Sequence, residues 1–134
     1  MATTTATLTL SSADLTGDAL SLSTTATLTK HNSDTGLDYT TGVNRITYST
    51  AQTAANLIAA ADYADTTKAH KVYIKNLSTS NSEYVNIELG ASNTIMGRLY
   101  GGDWAFFPYD GTNDIDIDTS DANMTVEYMV IYQQ

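Results

Sequence analysis

The chain has 134 residues, enough for a single core that buries roughly two-thirds of the surface its unfolded form would expose. A net charge of −9 with only six Lys and Arg argues against a nucleic-acid or anionic-membrane partner, because phosphate binding needs clustered cations. The absence of cysteine removes disulfides, thiolate chemistry and zinc–sulfur sites, and no run approaches the ~20 apolar residues of a membrane-spanning helix.

Charged residues make up 16% of the chain, below the roughly 25% of an average soluble domain, so its polar surface must be built from neutral groups. Thr and Ser supply them, at about a quarter of all residues. Thr is β-branched and suits a half-exposed pleated surface better than a helix, so the composition favours strands.

Residues Met1 to Lys30 read as an extended Thr-rich arm or β-hairpin, apart from a domain over 31–134. The hexapeptide Thr4-Thr5-Ala6-Thr7-Leu8-Thr9 recurs as Thr24-Thr25-Ala26-Thr27-Leu28-Thr29, and both copies alternate with period two. Asp14-Leu15-Thr16-Gly17-Asp18 between them is a turn signal. The first ten residues lack the charged and apolar regions of a signal peptide. With Ala, Leu and one Met as its only apolar groups, the arm cannot offset its own ordering entropy and needs a partner surface.

The domain opens with a loop over His31 to Gly36 and a strand through Val43, Arg45, Ile46 and Tyr48. In Ala51 to Ala64 a helix, or a strand followed by one helical turn, fits equally well. From Ala69 onward strands are dense: His70 to Asn76, Tyr84 to Leu89, Ile95 to Tyr100, Asp103 to Phe107, Asp114 to Asp118 and Met124 to Tyr132. Gly101-Gly102 suits the positive φ angles of a tight hairpin. With no crossover helices for parallel pairing, the expected fold is all-β, an antiparallel β-sandwich or jelly-roll-like barrel.

No enzyme constellation emerges. His31 and His70 lie among polar neighbours without metal-ligand spacing, and no nucleophile elbow or phosphate-cradling glycine loop is present. Counted from Asp114, the acidic run Asp114-Ile115-Asp116-Ile117-Asp118 places Thr119 and Thr125 where an EF-hand needs Gly and Glu. It reads as a strand with Ile115 and Ile117 inward and its carboxylates facing water, with an irregular cation site as the alternative. No catalytic residue, metal ligand or cofactor is assigned. Arg98 to Tyr109 holds the only Trp, both Phe and the only Pro; alternation places Trp104 and Phe106 on one face and Ala105 and Phe107 on the other, so both faces carry aromatic weight. The candidate protein-interface residues are Thr7, Leu8, Leu10, Leu28, Trp104, Phe107 and Tyr109.

In Ser11 to Ser23, Ala69 to Leu77, Met96 to Pro108 and Met124 to Val130 the chain resembles small virion structural proteins of tailed bacteriophages, particularly those of marine and cyanobacterial hosts. The resemblance implies a virion component of the capsid decoration (cement) kind, on the capsid surface first, with neck or tail as alternatives. Its implied partners are the major capsid protein or another virion protein and further copies of itself, most simply as a trimer. The alternative function is a tail- or fibre-associated β-sandwich that binds carbohydrate, with calcium on the Asp-rich strand.

Overall fold

A computed structural model describes residues 3–15, 17–90 and 92–134. Met1, Ala2 and Thr16, which fall in the predicted arm and its turn, lie outside the described residues, as does Ala91. The chain divides into two compact units, Met1–Asp38 and Tyr39–Gln134.

The first unit is an antiparallel hairpin of β1 (Thr5–Ser12) and β2 (Leu20–Thr27). On one face its register places like opposite like, Thr5, Thr7, Thr9 and Ser11 facing Thr27, Thr25, Ser23 and Ser21; on the other Ala6 and Leu10 face Ala26 and Leu22, while Leu8 and Ser12 face Thr24 and Leu20. Because side chains alternate across a strand, one face of the ribbon is all hydroxyl and the other carries Ala6, Leu8, Leu10, Leu20, Leu22 and Ala26. The hydroxyl face is cross-bonded, with Thr7 Oγ1 2.8 Å from Thr25 Oγ1 and Thr9 Oγ1 3.4 Å from Ser23 Oγ.

This unit extends eight residues past the boundary expected at Lys30. Thr29 bridges Gly36, Leu37 N donates to Leu28 O at 2.9 Å, and Thr4 Oγ1 donates to Leu37 O at 3.1 Å. Lys30 Nζ then pairs with Asp38 at 2.6 Å, so the His31–Gly36 loop folds back on the hairpin base.

The second unit is a β-sandwich. One sheet has the order β5 (Ala55–Ile58), β10 (Ile115–Thr119), β7 (Tyr84–Leu89), β8 (Thr94–Tyr100). The other runs β3 (Tyr39–Thr40), β11 (Met124–Tyr132), β6 (His70–Asn76), β9 (Trp104–Tyr109), with β4 (Asn44–Tyr48) also paired to β11. Every named pairing is antiparallel, as the lack of crossover helices required. The ambiguous Ala-rich stretch resolves as strand β5 followed by a 3₁₀ turn at Ala60–Asp62. A strand there lets Leu57 and Ile58 enter the core, so tertiary burial overrides helix propensity.

The core is built by strict alternation. Val72 and Ile74 of β6 and Val126 and Val130 of β11 face Val85 and Ile87 of β7 and Ile115 and Ile117 of β10, all buried. Asn76 closes one end of this core. Fully buried, its Nδ2 donates to Leu99 O (3.1 Å) and Glu83 O (3.4 Å), and its Oδ1 accepts from Ser78 N (3.0 Å). Its backbone holds the β8–β9 turn through Asp103 O and Gly102 N, both at 3.0 Å. In that turn Gly102 has φ +86°, and a Cβ on Gly101 would lie 2.2 Å from Ser80 O, so two glycines are required there for different reasons.

Candidate functional site

His70 is a packing residue in this fold, and its polar sequence neighbours are misleading. Strand β6 turns it inward, where its ring meets Tyr63 at 5.6 Å, Tyr109 at 6.4 Å and Tyr132 at 6.5 Å between centroids. Its Nε2–H donates to Tyr63 O at 3.2 Å, while the buried Nδ1 has no hydrogen-bond partner. Burial pushes its pKa below the ordinary 6.5, favouring neutral imidazole. With one ring nitrogen committed to a carbonyl and the other unpartnered, the imidazole is bonded to no nucleophile.

The acidic strand differs from expectation in one respect. Ile115 and Ile117 point inward as expected, but Asp116 is buried as well and does not face open water. Asp116 Oδ1 accepts from Asn56 Nδ2 (3.1 Å), Asp118 from Ala54 N (2.9 Å) and Asn86 Nδ2 (3.3 Å), and Asp114 from Ala60 N (2.7 Å). The register adds Glu88 of β7 directly opposite Asp116. Only 3% exposed, Glu88 has its carboxyl pKa raised by burial first and then by the neighbouring Asp118 and Asp116 carboxylates. Beside this network Arg98 sends Nε to Asn86 Oδ1 (2.9 Å) and stacks its guanidinium 3.8 Å over the Tyr84 ring. A proton on Glu88 therefore relieves the carboxylate repulsion. Among the described residues no group of three or more His, Asp or Glu is placed to hold a metal ion.

The aromatic hairpin splits as its alternation requires. Phe107 and Tyr109 of β9 turn inward: Tyr109 is buried and gives its hydroxyl to Asn113 O (2.8 Å), and Phe107 packs on the core. Trp104 and Phe106 point outward and remain 52% and 36% exposed. Across β6 they face Lys75 and Tyr73, and β11 extends the same surface with Glu127 and Met129. Glu127 is fixed there by Arg45 Nε (2.7 Å) and the Tyr73 hydroxyl (3.0 Å), and Arg45 first and Tyr73 next hold its pKa below the ordinary value.

The interface candidates therefore divide. Leu28, Phe107 and Tyr109 are withdrawn, since they pack within the single chain: Leu28 at the buried hairpin base, the other two because the inward side of β9 is core. Thr7 lies on the hydroxyl face of the ribbon and is bonded to Thr25. Leu8, Leu10 and Trp104 stay exposed, at 37%, 45% and 52%. Leu20 and Leu22, which sequence reading did not single out, join them at 39% and 45%; the signal was present in the alternation of Leu20-Ser21-Leu22-Ser23 but only the register shows that they share a face with Leu8 and Leu10. A separate cleft of about 400 Å³ opens beside β9, lined by Leu89, Met96, Phe107, Pro108 and Tyr109 with Lys68 and Asp110.

The described residues present apolar faces with hydroxyl and charged borders, and among them no acid, base and nucleophile are placed together. No protein-family model matches the chain, and neither a curated protein nor a solved structure matches it.

Proposed function

We propose that the chain is a structural protein of a virion, a capsid decoration (cement) protein that binds neighbouring capsid subunits and stabilises the shell by contact alone. One observation carries the protein-binding part of this reading. The hairpin of β1 and β2 forms with its leucine face uncovered, although an isolated two-stranded ribbon is at best marginally stable in water. Such a ribbon gains stability when a partner covers the leucine face or adds a strand to one of its edges. The resemblance in Ser11 to Ser23 and Met96 to Pro108 supports the virion assignment. Repetition over a shell makes modest contacts sufficient, because many weak sites acting together hold far more tightly than one.

A second reading, a carbohydrate-binding module of a tail or fibre, draws on the outward Trp104 and Phe106, whose exposed ring faces suit stacking on sugars. The discriminating experiment mixes the protein with purified capsids that lack it and with oligosaccharides. Saturable cosedimentation at a fixed ratio to capsid subunits supports the decoration reading. Quenching of Trp104 fluorescence by a sugar, without capsid binding, supports the second and sinks the first.

A further inference from the structure

Two surfaces of this chain are apolar and open, the first with carboxylates in the adjoining loop and the second bordered by cations. The first is the leucine face of the hairpin, with Leu8, Leu10, Leu20 and Leu22 exposed. The only charged side chains of that hairpin are Asp14 and Asp18 in its loop, and no basic residue precedes Lys30. The second is the outer face of the five-stranded sheet, where Trp104, Phe106, Tyr73 and Met129 form the apolar patch. Arg45, Lys71 and Lys75, half of the basic residues of the chain, share that face with a single carboxylate, Glu127. On a chain of net charge −9 it is a cationic patch.

We infer that the leucine face of one copy packs on the Trp104–Phe106 sheet face of a second copy, by exchange of hairpins. This rests on the protein-binding reading and names self-association as how the hairpin is covered. Two alternatives fit less well. Packing the sheet face on itself would bring Lys71, Lys75 and Arg45 against their own copies, and like charges across an interface are costly. Packing two leucine faces together would bury too little. Eight residues at about 3.4 Å and two strands at about 4.8 Å spacing give a face of roughly 270 Å². One such contact buries about 550 Å² from both sides, under the ~1,200 Å² of a stable interface. Reciprocal exchange, or exchange around a closed ring, gives each copy two contacts, one as donor and one as acceptor. In a reciprocal dimer both contacts fall on one pair and total about 1,100 Å², just under that size; in a ring each neighbouring pair shares one contact and closure supplies the rest of the hold.

The test uses two variants of the full chain. Leu8→Asp combined with Leu22→Asp disables the donor face, and Phe106→Glu disables the acceptor face. Sedimentation at about 100 µM should show wild-type protein as a dimer or closed ring and each variant alone as a monomer, while the equimolar mixture, left with one contact of about 550 Å², should form a 1:1 heterodimer more weakly than wild type, at about 1 mM. Trp104, the sole tryptophan, should show blue-shifted emission in the wild-type oligomer and in the heterodimer and not in either monomer. A folded variant is required for the mixture to rescue, so rescue itself excludes misfolding. A wild-type monomer at about 100 µM, a variant that still associates alone, or a mixture of folded variants that stays monomeric at about 1 mM overturns the inference. Capsid binding by a monomeric wild type would overturn this inference and leave the decoration reading standing.

Discussion

Replacing Asn76 by Ala should cost the sandwich about 3 kcal/mol. The side chain is fully buried and satisfies three backbone groups: Leu99 O, Glu83 O and Ser78 N. Leu99 O is bonded in a buried setting, so its loss leaves an orphaned acceptor at about 1–3 kcal/mol. The bonds to Glu83 O and Ser78 N are only partly buried, where water can replace the amide, and contribute roughly 0.5 kcal/mol each. The void left by the amide adds to this sum. For a unit of this size the change lowers Tm by about 15 °C. Urea unfolding followed by far-ultraviolet circular dichroism measures it directly. The backbone bonds of Asn76 to Asp103 O and from Gly102 N survive the substitution, so the turn that delivers Trp104 should hold and the tryptophan emission should shift only with the main transition. A loss below about 1 kcal/mol would refute the reasoning that this amide bridges the strand ends.

Glu88→Gln should raise stability near neutral pH. The folded state binds a proton on Glu88 at pH values where the unfolded chain, at its ordinary 4.5, has lost it, so native stability falls as pH rises through the raised value. The variant should therefore melt higher than wild type at about pH 7.5 and match it at about pH 4; equal Tm at both would contradict the crowded carboxylates. His70 has the opposite sign for acid: its folded pKa lies below 6.5, so stability should fall as pH drops from about 6.5 through that lower value, and its ring protons in NMR should titrate below 6.5. Gly101→Val should destabilise the sandwich by more than about 2 kcal/mol in the same urea assay, because Ser80 O occupies the space its Cβ would need. Deleting Met1 to Ala26 should leave the sandwich folded with an unchanged circular dichroism transition, since the core of the second unit draws only on residues from Tyr48 onward; unfolding would show that the hairpin belongs to that core.

Much of the sandwich was legible because its central strands are half-buried pairs of faces. His70 to Asn76 is buried at alternate residues as its pattern requires, whereas Tyr84 to Leu89 alternates in sequence but buries Asn86 and Glu88 along with Val85 and Ile87. The hairpin was legible from its repeated hexapeptide, but its amphipathic character depends on the cross-strand register that brings Leu10 opposite Leu22. Register is a pairwise property, and a single strand does not encode it. The same limit hid Glu88, whose carboxyl acquires its perturbation only when β7 and β10 align it with Asp116. The packing role of His70 was not legible because its aromatic neighbours, Tyr63, Tyr109 and Tyr132, come from other segments and none adjoins it in sequence. The unit boundary moved from Lys30 to Asp38 because the loop His31 to Gly36 returns through backbone bonds, which carry no hydrophobic pattern.

Shell stabilisation of the kind proposed is read from the disruption temperature of capsids lacking the protein, before and after adding it back. Saturating amounts of the full chain should raise that temperature, and the chain without Met1 to Ala26 should raise it less at the same concentration, because the leucine-faced hairpin is missing. A capsid whose disruption temperature is unmoved by saturating full-length protein would rule out the decoration role.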